Sequence, residues 1–399
     1  MELEFLSELA VRQGPFVTVY LDASHDTHDA DRRIDLSWRE SRRDLAAQGA
    51  DEATLTALDK AVEAADPSVG QAGRVLVAAH GETLLDRPLP APPRRVIARL
   101  SPLPHLMPML AQFPEPLPYV VVVTDRTGAD ITAYAAQGEP LFSDTVKGPD
   151  QWPIHKVPSG GWAALRYQHA VEVAWEHNAS AVAEEVTRVA DAINARLVII
   201  AGDIRARGLL REELPQHVYD LSVETEAGSR AAGSDPARLD AEIDALLEKR
   251  LSSERAGLLD RLRAGFTRDT AVQGLEAVFG ALREGMVDTA VIIDDPHSDL
   301  TVAVGPDPLQ VGLNDSALAG YGVEVQHDRA DAALIRALAA SGGRIEVITE
   351  DRSTDEDLNP GSTTPAPAAP ADDVPEPAPR IEFTDGVAAI TRRQGAGLY

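Results

Sequence analysis

Short apolar runs typical of buried strands alternate with helical patterns along most of the chain. The runs read FVTVYLDAS at 16–24, RVLVAA at 74–79, RRVIARL at 94–100, RLVIIAG at 196–202, VDTAVIID at 287–294 and RIEVIT at 344–349. The helical pattern before residue 196 places six residues on one face: Val171, Trp175, Val182, Val186, Val189 and Ile193. Elements that alternate in this way pack helices against sheets, so the sequence predicts an α/β fold.

With 399 residues, the chain is too long for a single ordinary hydrophobic core. Pro114, Pro116 and Pro118 interrupt the regular patterns and mark a first boundary. We therefore predict three domains: an α/β domain at 1–117, a middle domain of mixed sheet plus a long helix at 118–268, and an α-β-α sandwich at 269–399.

The segment at 351–379 differs in composition from the rest of the third domain. It is rich in proline and acidic residues and has almost no large apolar side chains. Such a segment cannot bury enough apolar surface to fold, so we expect it to be disordered. Because VAAITRR at 387–393 has the pattern of a returning strand, we interpret 351–379 as an insertion within the third domain.

Composition and charge exclude several classes of protein. The chain has no cysteine, which excludes disulfides, thiolate metal sites and cysteine nucleophiles. No apolar run approaches the roughly 18 residues of a membrane span, and the acidic start MELEFLSELA lacks the features of a signal peptide. The formal net charge of −27 opposes general attraction to DNA or anionic membranes. We expect a cytoplasmic protein without membrane or DNA partners.

The common catalytic motifs do not occur in the sequence. It has no phosphate-binding P-loop, dinucleotide fingerprint, HExxH zinc motif or GxSxG nucleophile motif. SHDTHD at 24–29 fits a polar loop after a strand, with a metal site or a partner contact as alternatives. GDIRARG at 202–208 fits a capped helix start, with an anion site as the alternative. We expect no cofactor, no metal and no catalytic residue of these classes.

A glycine pair precedes the long helix of the middle domain, in the sequence PSGGWAALRYQ at 158–168. The surrounding segment 147–169 is basic within an acidic chain, because it has three lysines and arginines against one acid, and it contains two of the four tryptophans. Cations interleaved with aromatic rings on a glycine-rich loop favour RNA contact, and a surface loop with fortuitous charge is the alternative. The candidate rRNA-binding residues are Lys147, His155, Lys156, Gly160, Gly161, Trp162, Arg166 and Gln168.

Three motifs in the same order resemble the archaeal and eukaryotic class-one release factors and their relative Pelota. GGWAALRY at 160–167 is similar to the release-factor loop GGQSALRF, which also precedes a long helix. GLEAVFGALREGMVDTAVII at 274–293 is similar to GLEHVLKALELGAVETLLI, and GVAAITRR at 386–393 is similar to GGIAAILRY. The resemblance covers about 118–399 well and the first 117 residues in order and size. The whole chain most resembles the bacterial branch, which includes actinobacterial release-factor-like proteins and the Balon-like hibernation factors.

The resemblance implies a three-domain protein that enters the ribosomal A site. The middle loop would face the peptidyl transferase centre and the first domain the decoding centre, with elongation factor Tu or a related GTPase as a partner. Two features depart from the release factors. Trp162 replaces the glutamine that helps to place the hydrolytic water, and an indole is only a donor. The first domain has no NIKS-like motif for reading a stop codon.

Three functions compete at this point. The first is a non-catalytic ribosome-binding factor for hibernation or for rescue of stalled ribosomes. The second is a peptidyl-tRNA or related ester hydrolase that uses Gln168 or His155 in place of the missing glutamine. The third is an α/β module that binds another protein without RNA contact. The acidic charge of the whole chain favours the third function, and the basic segment at 147–169 opposes it.

Deletion of 351–379 tests the predicted insertion. We expect a melting temperature nearly equal to that of the full chain, because loop length changes closure entropy by only about 0.6 kcal/mol per doubling. Circular dichroism melts of both proteins measure this. A large loss of stability would show that the segment packs against the domain.

Overall fold

The computed structural model describes residues 1–64, 70–113, 117–135, 140–147, 162–230, 235–295, 298–349 and 383–392, with only the backbone at 147 and 162–174. The chain forms two compact units. One combines Met1–Pro114 with Asp260–Tyr399, and the other is Glu115–Leu259. Sheets with helices packed on them build both units, which confirms the predicted α/β class. No helix in the described ranges is long and apolar enough to span a bilayer.

The first segment of the chain contains one antiparallel sheet with strand order β3-β2-β1-β4. Its helices are α1 (Ser7–Val11), α2 (Ala30–Gln48), α3 (Glu52–Glu63) and α4 (Met107–Leu110), after a 3-10 turn at Glu4–Leu6. Its strands are β1 (Phe16–Asp22), β2 (Gly73–Ala79), β3 (Glu82–Leu89) and β4 (Ile97–Ser101). The strands predicted at 16–24, 74–79 and 94–100 correspond to β1, β2 and β4. The edge strand β3 is largely exposed and was not predicted.

Both faces of this first sheet are covered, and the alternation along β1 shows how. Val17 and Val19 belong to a core that α2 and α3 complete, with Trp38 and Leu45 among its buried residues. Phe16 and Tyr20 point the other way and belong to a second core. That second core includes Leu334, Leu338 and other residues of the C-terminal segment. The two ends of the chain therefore share one hydrophobic core.

The C-terminal segment contains a four-stranded sheet of order β10-β16-β11-β15 and a small sheet of order β13-β12-β14. The middle unit holds elements α5–α8 and β5–β9, described below. The C-terminal strands are β10 (Ala271–Gln273), β11 (Val287–Asp294), β12 (Thr301–Val304), β13 (Val311–Gly312), β14 (Gln326–Arg329), β15 (Arg344–Thr349) and β16 (Val387–Thr391). The helices are α9 (Leu275–Arg283) and α10 (Ala330–Ser341), with 3-10 turns at Asp315–Ala317, Ala319–Tyr321 and Thr384–Gly386.

Strand β16 lies between β10 and β11, so the chain returns to this sheet after the segment predicted to be an insertion. Residues 351–379 themselves lie outside the described residues. The apolar residues of 272–285 fit one helical face and predict a helix from Val272, but this start is wrong, because Val272 lies in β10 and α9 begins at Leu275. Gly274 separates strand from helix with a φ of +84°, a backbone angle that side-chain-bearing residues rarely adopt.

Two buried charged side chains join the N-terminal and C-terminal segments. The guanidinium of Arg336, in α10, donates to the carbonyl of Ala10 at 3.0 Å and to that of Gly305 at 2.9 Å. The carboxylate of Asp328, in β14, pairs with Arg99 and accepts from the backbone N–H of Leu103 at 2.7 Å. Arg336 and Asp328 are 7% and 1% exposed. Such groups are tolerated in a core only when hydrogen bonds satisfy them.

The middle unit is built on a five-stranded mixed sheet of order β7-β6-β5-β8-β9. Its strands are β5 (Tyr119–Asp125), β6 (Gly128–Tyr134), β7 (Pro140–Lys147), β8 (Leu197–Gly202) and β9 (Ser222–Glu224). Its helices are α5 (Trp162–Ala192), α6 (Ile204–Glu213), α7 (Gln216–Tyr219) and α8 (Pro236–Thr267), the last of which continues past residue 259. Strands β5, β8 and β9 are parallel, and β5, β6 and β7 are antiparallel.

The predicted apolar face of the long helix packs on this sheet. Val182, Val186 and Val189 are buried in one core with Val120 and Val198. Ile193 is packed against the same core, and the side chain of residue 171 lies outside the described residues. Burial of this face fixes the C-terminal half of α5 on the sheet.

Removal of the carboxylate that joins the two chain ends should destabilise the protein strongly. Burial raises the pKa of Asp328, and Arg99 and the N–H groups of Arg329 and Leu103 offset this only in part. The substitution Asp328→Ala leaves those donors without their acceptor. We expect a loss of about 2–3 kcal/mol of unfolding free energy, less than the roughly 3–5 kcal/mol for a fully buried pair, because Arg99 is partly exposed.

Urea unfolding of the purified protein measures this loss. Asp86→Ala is the matched control, because Asp86 pairs with Arg74 at a more exposed position and should cost less than about 1 kcal/mol. Equal effects of the two substitutions would contradict the assigned role of Asp328.

Candidate nucleic-acid interface

The N-terminal half of α5 extends past the end of the middle sheet. Asn178 meets the sheet at the turn between β5 and β6, where its side-chain N–H group donates to the carbonyl of Arg126 at 3.1 Å. Trp162, the first residue of α5, precedes Asn178 by sixteen positions. At 1.5 Å per residue, that length of helix spans about 24 Å. The fold therefore places the start of α5 far from the sheet that anchors the helix.

The turn between β5 and β6 carries an organised group of charges. Arg230 donates to the carboxylate of Asp125 at 2.9 Å and to that of Asp130 at 3.0 Å. Arg126 lies 3.6 Å from Asp203, measured between a guanidinium nitrogen and a carboxylate oxygen. These contacts hold the turn in one conformation.

The parallel pairing of β5 and β8 brings distant residues to this turn. The carboxyl ends of parallel strands meet at the same edge of a sheet, so the end of β8 and the start of α6 lie beside the β5–β6 turn. Asp203 caps α6 by accepting from the N–H groups of Arg205 at 3.0 Å and Ala206 at 3.2 Å. The predicted cap is confirmed, and these donors are already satisfied by a carboxylate of the chain.

An aromatic ring and two cations line a shallow crevice at this edge. The guanidinium of Arg126 lies over the ring of Trp175, 4.8 Å from its centroid. Arg205 lines the same crevice and is exposed, and the Arg126 side chain is half exposed. A partly exposed indole beside two guanidiniums can stack on a base and contact phosphate oxygens. The edge thus has the chemistry of a nucleic-acid contact.

Sequence reasoning missed this group. The sequence pattern places Trp175 on the apolar face of a helix and gives no signal for Arg126. Arg205 lies in GDIRARG, which was interpreted as a capped helix start. The parallel pairing of β5 with β8 is the signal that brings them together, and two short apolar strands around a helix could have indicated it.

Comparison with known proteins establishes the family. The family model of bacterial archaeo-eukaryotic release factor family 2 matches residues 118–268. Protein Rv2629 of Mycobacterium tuberculosis strain H37Rv is 33% identical over 349 residues, which cover 86% of this chain and 92% of that protein. Protein MT2704 of strain CDC 1551 gives the same values. The chain belongs to bacterial archaeo-eukaryotic release factor family 2. The family model covers the β5–β6 turn and α5, and the two relatives match across most of the chain.

Solved structures with similarity to this family 2 protein include three translation factors. An archaeal translation termination factor matches at 14% identity and a TM-score of 0.25, with 98% of this chain and 97% of that chain covered. Dom34 of S. cerevisiae matches at 10% identity and a TM-score of 0.39, with 80% of each chain covered. Archaeal Pelota, from a model of ribosome-bound Pelota and ABCE1, matches at 15% identity and a TM-score of 0.36, covering 98% and 94%.

The predicted rRNA-binding residues of this family 2 protein lie at or before the start of α5. Lys147 ends β7, and Trp162, Arg166 and Gln168 occupy the first two turns of α5, all with only the backbone described. The other four, His155, Lys156, Gly160 and Gly161, lie outside the described residues. Their joint role therefore stays a prediction.

The SHDTHD segment at 24–29 forms a hydrogen-bonded loop. His25 Nδ1 lies 2.9 Å from the carbonyl oxygen of Ala23, and Nε2 lies 3.1 Å from a carboxylate oxygen of Asp31. No group of three or more His, Asp or Glu side chains placed to hold a metal occurs in the part of the chain that the structure describes. These contacts fit the polar loop that was the first interpretation of this segment.

The charge pairing at the β5–β6 turn can be tested by titration. Burial alone would raise the pKa of Asp125, but hydrogen bonds from Thr127 and the Arg230 guanidinium lower it below its ordinary value. This carboxylate therefore stabilises the fold above its unfolded pKa, and the contribution is lost as the pH falls through the lower folded pKa. In Arg230→Ala we expect the pKa of Asp125 to rise, as measured by NMR titration of the carboxyl carbon.

Arg205→Ala provides the matched control, because Arg205 lies at the same edge but makes no ion pair within the described ranges. It should leave the pKa of Asp125 nearly unchanged. An unchanged pKa in Arg230→Ala would mean that the pair does not form in solution.

Proposed function

We propose that this family 2 protein is a non-catalytic ribosome-binding factor that occupies the A site. It acts in ribosome hibernation or in rescue of stalled ribosomes, and a ribosomal site of action implies the cytoplasm. The observation that carries the proposal is GGWAALRY at 160–167, which lies inside the range matched by the release-factor family and ends in a helix reaching far from its sheet.

The geometry of α5 supports access to a narrow site. A loop that precedes a helix extending about 24 Å beyond its anchor can enter a channel too narrow for the sheet and its other helices. The tip, residues 158–162, includes two adjacent glycines. Glycines carry no side chain and allow backbone angles closed to other residues. In this proposal Gly160 and Gly161 approach the rRNA of the peptidyl transferase centre, and Trp162 stacks on an exposed base.

The substitution at the catalytic position supports binding without hydrolysis. Trp162 occupies the place of the release-factor glutamine, and its indole N–H can donate to a water but cannot accept a proton from it. The indole ring is also much larger than the glutamine side chain that it replaces. Hydrolysis by Gln168 or His155 remains the competing function, which a release assay separates from ours.

Local charge resolves the conflict between an acidic chain and an RNA partner. Lys147, Lys156 and Arg166 flank the glycine pair in the sequence, and Arg126 with Arg205 adds cations at the edge where α5 leaves the sheet. Phosphate contacts are short-range at cellular salt, where the screening length is about 8 Å. A basic tip can therefore bind RNA although the chain as a whole is acidic.

The named relatives support a ribosomal partner. One similar structure is a ribosome-bound archaeal Pelota, and S. cerevisiae Dom34 is described as interacting with Hbs1 in RNA quality control. We extend the ribosome to this chain as its principal partner. Elongation factor Tu or a related GTPase is the second partner in the proposal.

Sedimentation with 70S ribosomes tests the binding. We expect co-sedimentation at low salt that weakens steeply as salt rises, because phosphate contacts release counterions. Trp162→Ala should lose about 1–3 kcal/mol of affinity, the value of one base–aromatic stack. Trp152→Ala is the matched control, since it removes a tryptophan from the same segment outside the GGW motif. Equal affinity of wild type and both variants would show that the tip does not contact the ribosome.

A peptide-release assay on the same ribosomes separates the factor from a hydrolase. Wild-type protein should release no peptide above background. Trp162→Gln restores the release-factor motif and shows whether position 162 alone sets the outcome. Release by the wild type would contradict the non-catalytic function and favour the hydrolase.

A further inference from the structure

Two adjoining cavities lie within the unit formed by both chain ends, at the carboxyl ends of the parallel strands β11 and β15. Their volumes are about 240 Å³ and about 180 Å³, and both are lined by Met107, Arg329 and Asp331. Asp294 and Thr349 end the two strands in register and line the smaller cavity. In α/β sheets, the crevice outside the carboxyl ends of parallel strands is the usual place for a ligand.

Unpaired positive charge lies at the mouth of the smaller cavity. Arg94 and Arg95 line it, are exposed, and form no ion pair with any described residue. Arg329, deeper in the wall, is neutralised by Asp331, which its guanidinium contacts at 2.7 Å and 3.0 Å. Adjacent guanidiniums without a carboxylate partner are the groups that proteins use to recognise phosphate.

The inner wall of the smaller cavity offers buried polar atoms that have no partner. His105 Nδ1 and Gln112 Oε1 are buried without a hydrogen bond. Burial lowers the pKa of His105 to about 4, so its ring is neutral at pH 7. Ile97 and Met107 provide an apolar surface between these polar atoms and the arginines. Unsatisfied buried polar atoms are rare in folded proteins and indicate a missing partner.

We propose that this pair of cavities binds a mononucleotide, with its phosphate groups on Arg94 and Arg95 and its base against His105 and Gln112. The apolar wall of Ile97 and Met107 supports the base between the arginines and the inner side chains. The larger cavity accommodates the sugar. The summed volume of the two cavities falls in the range of small-ligand sites.

The carboxylates of the cavities favour a nucleotide over a bare phosphate. Asp294 lines the smaller cavity outside ion-pair distance of Arg94; burial raises its pKa, and the more distant charge of Arg94 offsets this in part. A carboxylate repels phosphate but accepts hydrogen bonds from sugar hydroxyls and exocyclic amines. A ligand with an anionic end and a donor-rich body fits both kinds of group, whereas inorganic phosphate fits only the arginines.

Isothermal titration calorimetry on the full chain tests the proposal with AMP, ADP, GDP and inorganic phosphate as probes. We expect at least one nucleotide to bind more tightly than phosphate. The double variant Arg94→Gln with Arg95→Gln should weaken nucleotide binding by at least about tenfold, since a single hydrogen bond to a charged group is worth that much in affinity. Arg32→Gln with Arg43→Gln is the matched control and should bind like the wild type.

The control removes the same charge from two exposed arginines of α2 that form no ion pair with described residues. Ala111→Trp fills the smaller cavity and should abolish binding without lowering the melting temperature, because Ala111 is partly exposed. Three results would overturn the proposal: no nucleotide bound at millimolar concentration, phosphate bound as tightly as nucleotides, or unchanged nucleotide affinity in the Arg94 and Arg95 variant.

Discussion

The guanidinium of Arg336 imposes a constraint on which the unit made from both chain ends depends. A cation buried in an apolar core must find acceptors, and this one donates to carbonyls of Ala10, Gly305 and Pro306. Burial lowers its pKa, the charge of Asp307 offsets this in part, and the three carbonyls supply the direct hydrogen bonds. The acceptors come from segments nearly three hundred residues apart, and the first and last parts of the chain therefore fold as one body. Asp328 repeats the arrangement with the opposite charge.

The parallel pairing of β5 with β8 has an equivalent importance in the middle unit. It places the β5–β6 turn, the cap of α6 and the side of α5 at one edge, where Asn178 joins turn to helix. Buried valines hold the remainder of α5 on the sheet. The candidate interface is consequently supported by rigid elements, and the glycine pair precedes the other end of the same helix in the sequence.

Local patterns predicted most of the elements and few of their long-range partners. Strongly apolar strands such as β1, β8 and β11 were found from sequence because burial on both faces leaves a continuous apolar run. The edge strands β3 and β7 were missed because exposed strands have no such run. Val272 fits a helical period by chance, and only its pairing with Ala389 reveals a strand. The same holds for the candidate site. The GGW motif can be found in the sequence because it is local, whereas the grouping of Arg126, Trp175 and Arg205 depends on the sheet.

The projection of α5 also makes it a lever arm. A rotation of about 10° at Asn178 would move Trp162 by about 4 Å, because the intervening helix is about 24 Å long. A small change in the angle of α5 where it meets the β5–β6 turn therefore produces a larger displacement at Trp162. The hydrogen bond between Asn178 and Arg126 marks the point about which such a rotation occurs.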